Sequence, residues 1–299
     1  MDGFINLLKP PGMSSNDAVG FARRLLPRGA RVGHGGTLDP DAAGVLPVCV
    51  GRAARLFDYI IDKKKTYIAE LRLGVETDTQ DAGGRILARR DASAVTEEHI
   101  RAVLPRFTGE IDQIPPAYSA IKRDGRRMYD LARKGEAVEL EARRVIVHGI
   151  DYLRKTGPEA HMLRVTCGKG VYIRTLCHDI GRMLGVGAHM SFLLRSEAGC
   201  FRVEDAATLE ELQSAAEESR LESLLYPLDA PLSAYPALRL DARYEKPVSN
   251  GGPIPPEWHG QALQEGEIVR VYLENTFAGM AQADGEGTLR FRAMLMEKN

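Results

Sequence analysis

Cysteine is scarce in this chain. Cys49, Cys167, Cys177 and Cys200 form neither a Cys-x-x-Cys pair nor a zinc-like spacing, which excludes a disulfide framework and a structural zinc site. The seven histidines are scattered, so no metal centre is expected. No apolar run nears the ~20 residues of a membrane-spanning helix, and no signal peptide is recognisable. A reducing cytoplasmic setting without membrane contact is therefore expected. Strong charge of one sign is missing as well: 40 basic and 41 acidic side chains leave a net charge of −1, so bulk charge does not announce a nucleic-acid partner. Both common phosphate loops are absent. No glycine stands five residues before Gly168 and neither Ser nor Thr follows Lys169, so Gly168-Lys169 is not a P-loop. Gly33-x-Gly35 lacks the third glycine of a dinucleotide fingerprint, because position 38 is leucine. No cofactor is expected.

What is present is unevenly distributed. The 299 residues suffice for one large domain and a small one. Residues 205–229 hold seven acids and one base, a local net of −6 that leaves the rest of the chain at +5. Residues 122–134 hold six bases against Asp124 and Asp130. A charge run of this kind is either a solvated face or a contact for RNA.

Periodicity places the elements. Phe4-Ile5-Asn6-Leu7-Leu8 is an apolar stretch running into a Pro-Pro-Gly turn, and Ser14 or Ser15 caps a helix carrying Val19, Ala22 and Leu26. Residues 44–50 read as a short buried strand and 52–61 as a helix with Ala53, Leu56, Phe57 and Ile60 inward. Alternation over 65–73 puts Tyr67, Ala69, Leu71 and Leu73 on one face. The polar turn 77–84 follows; it lacks the ligand spacing of a calcium loop. An amphipathic helix is expected over 96–107, an extended loop and then a helix with Met128, Leu131 and Ala132 in the basic segment, and strands over 145–152 and 162–167. Leu176, Ile180 and Leu184 mark another helix, and 209–225 an acidic one. After prolines 227, 231 and 236, four β-like runs suggest a small separate barrel. No internal repeat is found.

One loop concentrates chemistry: Gly33-His34-Gly35-Gly36-Thr37-Leu38-Asp39-Pro40. Composition alone would make it a glycine-rich surface turn. Yet glycines allow close approach of a ligand, and Pro40 biases Asp39 towards extended backbone. An aspartate held in this way, with neither metal ligands nor a cofactor fingerprint nearby, suits covalent or acid/base catalysis by the carboxylate itself. A cation beside it would offset desolvation, and Arg174, between a glycine-bracketed turn and a helix, is the candidate. Tyr67 and Tyr172 offer stacking surfaces for a planar substrate such as an unstacked base.

The loop, extended through Ala42 and Gly44-Val45-Leu46, closely resembles the active-site motif of the TruB family, the bacterial tRNA pseudouridine-55 synthases. Lys9-Pro10-Pro11-Gly12-Met13-Ser14-Ser15, Lys65-Thr66-Tyr67, Thr77-Asp78-Thr79-x-Asp81-x-x-Gly84, residues 113–133, Gly168-Lys169-Gly170-x-Tyr172-Ile173-Arg174-Thr175 and Gly187-Ala188-His189 match in order. The resemblance covers about residues 4–200. It implies an α+β chain in the pseudouridine synthase fold: a large mixed, mainly antiparallel sheet flanked by helices in residues 1–232, with an RNA-clamping insertion at about 112–136. A small β-barrel, PUA-like RNA-binding domain follows in 233–299. It further implies Asp39 as the catalytic carboxylate paired to Arg174, and His34 pressed into the RNA loop. Tyr67 would stack on the base; Tyr172, Arg174 and Leu193 would line its pocket. Lys122, Arg123, Arg126 and Arg127 would belong to the clamp. The implied substrate is the TΨC stem-loop of tRNA, bound by a monomer with no obligate protein partner. Ser14, Ala43 and Ser196 stand where the family usually has threonine; none is a catalytic group. The guide-RNA-dependent synthases of archaeal and eukaryotic ribonucleoproteins share the loop, but residues 113–133 fit the stand-alone type. A tRNA-binding or tRNA-folding factor without catalysis is the non-enzymatic alternative.

Overall fold

A computed structural model describes residues 1–61, 63–116, 141–296 and, for the backbone alone, 122–123 and 126–127. The chain opens with β1 (Gly3–Lys9), α1 (Ser15–Leu25), β2 (Val32–His34) and β3 (Ala43–Val50). Ser14 is the cap of α1: its hydroxyl accepts from the Asp17 N–H while the Asp17 carboxylate accepts from the Ser14 N–H, a reciprocal capping box. β1 and β3 pair antiparallel and are covered on both faces, which is why they read as continuous apolar runs. Ile5, Leu7, Leu46 and Val48 meet α1 on one side, and Phe4, Val45 and Cys49 face the other.

A 3-10 turn over Gly51–Leu56 precedes α2 (Phe57–Ile61). This corrects the expected helix over 52–61. Three residues per turn bury Ala53 and Leu56, and the change of phase leaves Phe57, expected inward, 38% exposed. Next come β4 (Lys65–Leu73), the hairpin of β5 (Val75–Thr77) and β6 (Ile86–Arg89), α3 (Glu97–Val103) and β7 (Gly109–Gln113). In β4 the expected alternation holds, with Tyr67, Ala69, Leu71 and Leu73 all buried. β8 (Lys122–Arg123) and β9 (Arg126–Arg127) pair antiparallel. The expected helix with Met128, Leu131 and Ala132 lies outside the described residues.

β10 (Arg143–Lys155), β11 (Ala160–Cys167), α4 (Ile173–Met183), β12 (Ala188–Ala198), β13 (Phe201–Arg202), α5 (Leu209–Glu217) and β14 (Leu225–Tyr226) complete the large unit. The acidic helix expected over 209–225 stops at Glu217. Ser219 turns left-handed (φ 55°) and the Arg220 N–H closes back on the Ala215 carbonyl, a C-terminal turn that frees 225–226 to pair with β1. The large sheet runs β14-β1-β3-β12-β4-β11-β10-β7, with β2 and β13 added to β3 and β12; every pair is antiparallel except β3 with β12. The fold is α+β, and α4 lies against β12 and β4 over a core of Leu71, Leu163, Leu176 and Ile180.

β15 (Ala237–Leu240), β16 (Ile268–Leu273), β17 (Thr276–Ala283) and β18 (Leu289–Met294) form a second sheet in that order. The expected barrel-like tail is thus a small sheet domain whose first and last strands do not pair with each other among the described residues. It is not separate. Met280, Ala293 and Leu295 share one core with Phe4, Leu56 and Phe201 of the large unit. The Arg52 guanidinium joins the two, bonding Asp2 and donating to the Leu295 carbonyl.

Candidate active site

Asp39 sits in the loop between β2 and β3, and the N-terminal segment braces that loop on both sides. Ser15 Oγ accepts from the Leu38 N–H (2.8 Å) and donates to the Leu38 carbonyl (2.9 Å). Lys9 Nζ donates to the carbonyls of Pro10, Met13 and Pro40 at 2.8, 2.7 and 2.9 Å, and the Gly12 N–H donates to the same Pro40 oxygen. Lys9 is wholly buried, and loss of water pushes its amine down to about 8. Of the loop's three glycines, Gly36 alone has a positive φ (130°). Gly44, at the start of β3, must be glycine because a Cβ there would lie 2.2 Å from the Arg195 carbonyl oxygen.

The facing wall is made by β4 and β12, and a bulge aims it. Met190 pairs with Leu71, but Phe192 pairs with Glu70, so Ser191 is an extra residue on β12. Alternation therefore changes phase: Ala188 and Met190 face the core before the bulge, and Leu193 and Arg195 after it. Leu193 comes opposite Ala69 and Arg195 opposite Tyr67. The Ser191 hydroxyl pins the bulge by donating to Glu70 Oε2 at 2.6 Å.

Between these walls lies a cavity of about 550 Å³ whose lining includes Leu38, Asp39, Tyr67, Tyr172, Arg174, Leu193 and Arg195. Arg174 is 5% exposed and grips Asp39 with two nitrogens, Nε at 2.9 Å and Nη2 at 3.3 Å. Its third nitrogen, Nη1, reaches Asp81 Oδ2 at 3.4 Å and the Thr79 carbonyl at 3.3 Å. Withdrawal from water pushes the Asp39 carboxyl above the ordinary carboxylate range; Arg174 pulls it back down and Asp81 adds to the rise. Burial also raises the Tyr67 phenol, opposed by Arg195, so Tyr67 keeps its proton at neutral pH.

Asp39, Tyr67, Tyr172, Arg174 and Leu193, far apart in sequence, thus converge. His34 does not line the cavity. It ends β2 opposite Val48, half-buried, with Nδ1 lacking a hydrogen-bond partner among the described residues. Burial holds its imidazole below the usual pKa, favouring the neutral form. Lys122, Arg123, Arg126 and Arg127 form the two-stranded β8–β9 pair in the backbone; the rest of the basic segment lies outside the described residues. Sequence reading missed three participants. Asp81 appeared only within a polar turn and a motif, Lys9 only within a motif, and Arg195 was given no role. Arg195 is 1% exposed and donates to the carbonyls of Val45, Thr37 and Gly36, tying β12 to the Asp39 loop. An arginine directly after the apolar run Phe192-Leu193-Leu194 was its available signal. Among the described residues no cluster of His, Cys, Asp and Glu is placed to hold a metal ion, and no helix is long and apolar enough to cross a membrane.

The family model described as "TruB family pseudouridylate synthase (N terminal domain)" matches residues 23–173. The chain belongs to the TruB family. Two further models match later residues: "tRNA pseudouridylate synthase B C-terminal domain" over 174–233 and "Pseudouridine synthase II TruB, C-terminal" over 236–295. Among TruB relatives named tRNA pseudouridine synthase B, that of Symbiobacterium thermophilum is 49% identical over 84% of this chain and 82% of its own length. That of Alkaliphilus oremlandii is 44% identical over 93% and 92%. Solved structures with the same fold include a Cbf5–Nop10–Gar1 complex (TM-score 0.73, 28% identity, 99% of this chain and 84% of that one). The archaeal box H/ACA sRNP Nop10–Cbf5 complex is similar (TM-score 0.74, 26% identity, 99% and 87%).

Proposed function

We propose that this TruB-family chain isomerises a uridine of tRNA to pseudouridine, and that the target is position 55 in the TΨC loop. The observation that carries this reading is the Asp39 carboxylate, held by two nitrogens of Arg174 at the wall of a cavity to which Tyr67, Tyr172 and Leu193 contribute apolar surface. The reaction breaks the N1–C1′ bond, turns the base and joins C5 to C1′; the proton leaving C5 is balanced by one gained at N1. Asp39 acts as nucleophile at the ribose, as nucleophile at the pyrimidine, or as base in a glycal route. All three need it ionised, and the Arg174 charge favours that form inside the partly dry site.

The uridine reaches Asp39 by leaving its stack, at a cost of a few kcal/mol offset by stacking and phosphate contacts. Tyr67 stacks on the base, Tyr172 and Leu193 close the pocket, and His34, at the mouth of the loop, presses into the RNA. Lys122, Arg123, Arg126 and Arg127 belong to a basic clamp on the stem-loop. The chain works as a monomer in the cytoplasm, without cofactor or obligate protein partner, with residues 1–232 as catalytic domain and 233–299 as RNA-binding domain.

The test is pseudouridine mapping on an unmodified tRNA transcript incubated with this protein alone. Formation at position 55 is expected, with Asp39→Asn abolishing it while tRNA affinity is largely kept. Persistent isomerisation by Asp39→Asn would remove Asp39 from the chemistry. The likeness to Cbf5 complexes supports a second reading, dependence on guide RNA and partner proteins. Identities of 44–49% with the tRNA enzymes against 26–28% with the Cbf5 structures favour the first. A strict requirement for guide RNA would reverse the choice.

A further inference from the structure

Gln113 ends β7 and is 2% exposed, yet its side chain has a specific task. Its Nε2 donates to the Tyr172 carbonyl at 3.0 Å, and its Oε1 accepts from the Tyr172 N–H at 2.8 Å. The two bonds are made to one peptide segment 59 residues away in sequence, and a two-point contact sets orientation as well as distance. Tyr172 is the N-cap of α4, and the carbonyl that Gln113 holds also accepts the first helical bond, from the Leu176 N–H at 3.0 Å. Among the described residues, Gln113 thus braces this helix start. Two residues further on stands Arg174, gripping Asp39. Successive helical residues are rotated by about 100°, so a small rotation at the N-cap swings the guanidinium away from the carboxylate. The approach to Tyr172 passes Gly168 and Gly170 (φ 81°), residues that restrain the backbone least. Gln113, by contrast, is fixed. It pairs with Arg143 of β10 in the sheet and is followed by the buried Pro115 and Pro116.

We infer that Gln113 is a positioning residue for the reaction at Asp39: its carboxamide holds the Tyr172 backbone, and so sets where Tyr172 and Arg174 meet the cavity. The kinetic part rests on the pseudouridine synthase reading; the structural part does not. No other side chain replaces it. Asparagine is one methylene too short, ionised glutamate has no donor for the Tyr172 carbonyl, and methionine has the length but no strong hydrogen-bonding group.

The test uses the full-length protein with Gln113→Met and Gln113→Glu, single-turnover kinetics on a tRNA transcript, tRNA binding, and amide hydrogen exchange. At neutral pH both variants are expected to lose about ten- to hundredfold in rate, with tRNA affinity changed by less than about threefold. Exchange over residues 171–176 should quicken in both. The Glu variant's rate relative to wild type should recover as pH falls, because a protonated carboxyl regains a donor, whereas the Met deficit stays flat. Wild-type rate in Gln113→Met, a rate loss without faster exchange at 171–176, or a Glu deficit independent of pH would each overturn the inference. Should Gln113→Met not fold, the pH recovery of Gln113→Glu decides alone. If wild type forms no pseudouridine in tRNA, the proposed function fails, and the exchange result still decides whether Gln113 holds Tyr172.

Discussion

At Asp39 opposing effects meet on one carboxyl, and each has an owner. Desolvation and the Asp81 charge push its pKa up, and Arg174 pulls it down. If Asp39 must be ionised to act, the acid limb of the rate profile reports that balance. Arg174→Gln should move the limb to higher pH, and Asp81→Asn to lower pH. Single-turnover rates between pH 5 and 8 check this; shifts in the same direction for both variants would contradict the assignment. Lys9 offers a prediction about stability. Its folded pKa of about 8 lies below the unfolded 10.5, so the unfolded chain binds the proton more tightly and stability rises with pH across that window. The thermal stability gap between wild type and Lys9→Met should therefore be near constant below pH 8 and widen above it. A gap that stays flat to pH 10 would mean the amine is not held charged out of water.

The bulge in β12 is a single inserted residue that kinks the wall of the cavity. Deleting Ser191 would leave Phe192 opposite Glu70 and Leu193 opposite Ala69, so Leu193 and Arg195 keep their face and only the local kink and added twist are lost. The straightened strand should still fold but react more slowly than wild type in single-turnover kinetics. Ser191→Ala keeps the register and loses the hydroxyl's bonds to the Glu70 carboxylate and carbonyl, costing about 1 kcal/mol in denaturant unfolding. A deletion variant with the wild-type rate would show that the kink does not aim the wall. The same bulge explains what the sequence concealed. β4 was legible because its alternation is unbroken, and α1 because Ser14 is a recognisable cap. β12 changes phase midway, so no single period marks it, and Arg195 disappears with it. Asp39 stood out because its loop is local. Asp81 did not, since its partner Arg174 is 93 residues away and only the fold joins them. Phe57 and the end of α5 failed for a different reason: a 3-10 turn and a left-handed serine interrupt patterns that composition alone continues.

For the whole molecule, the two sheets stand or fall together. Met280, Ala293 and Leu295 are nearly or fully buried against Phe4 and Leu56, so a chain ending at residue 235 would leave an apolar face of the large unit in water. Such a truncation is expected to be recovered poorly and to bind hydrophobic dyes. A soluble fragment melting like the full chain would show that the shared core contributes little. This union was hidden from the sequence, where prolines 227, 231 and 236 suggested a linker between independent units. It also has a consequence for synthesis. The first strand completes its burial against residues within a few positions of the last, and Asp2 and Leu295 meet on the same Arg52. On the ribosome, at roughly 5–20 residues per second, the first strand would wait on the order of 15–60 s for those partners to emerge. Nascent TruB-family chains of this build must shelter their own beginning until their end is made.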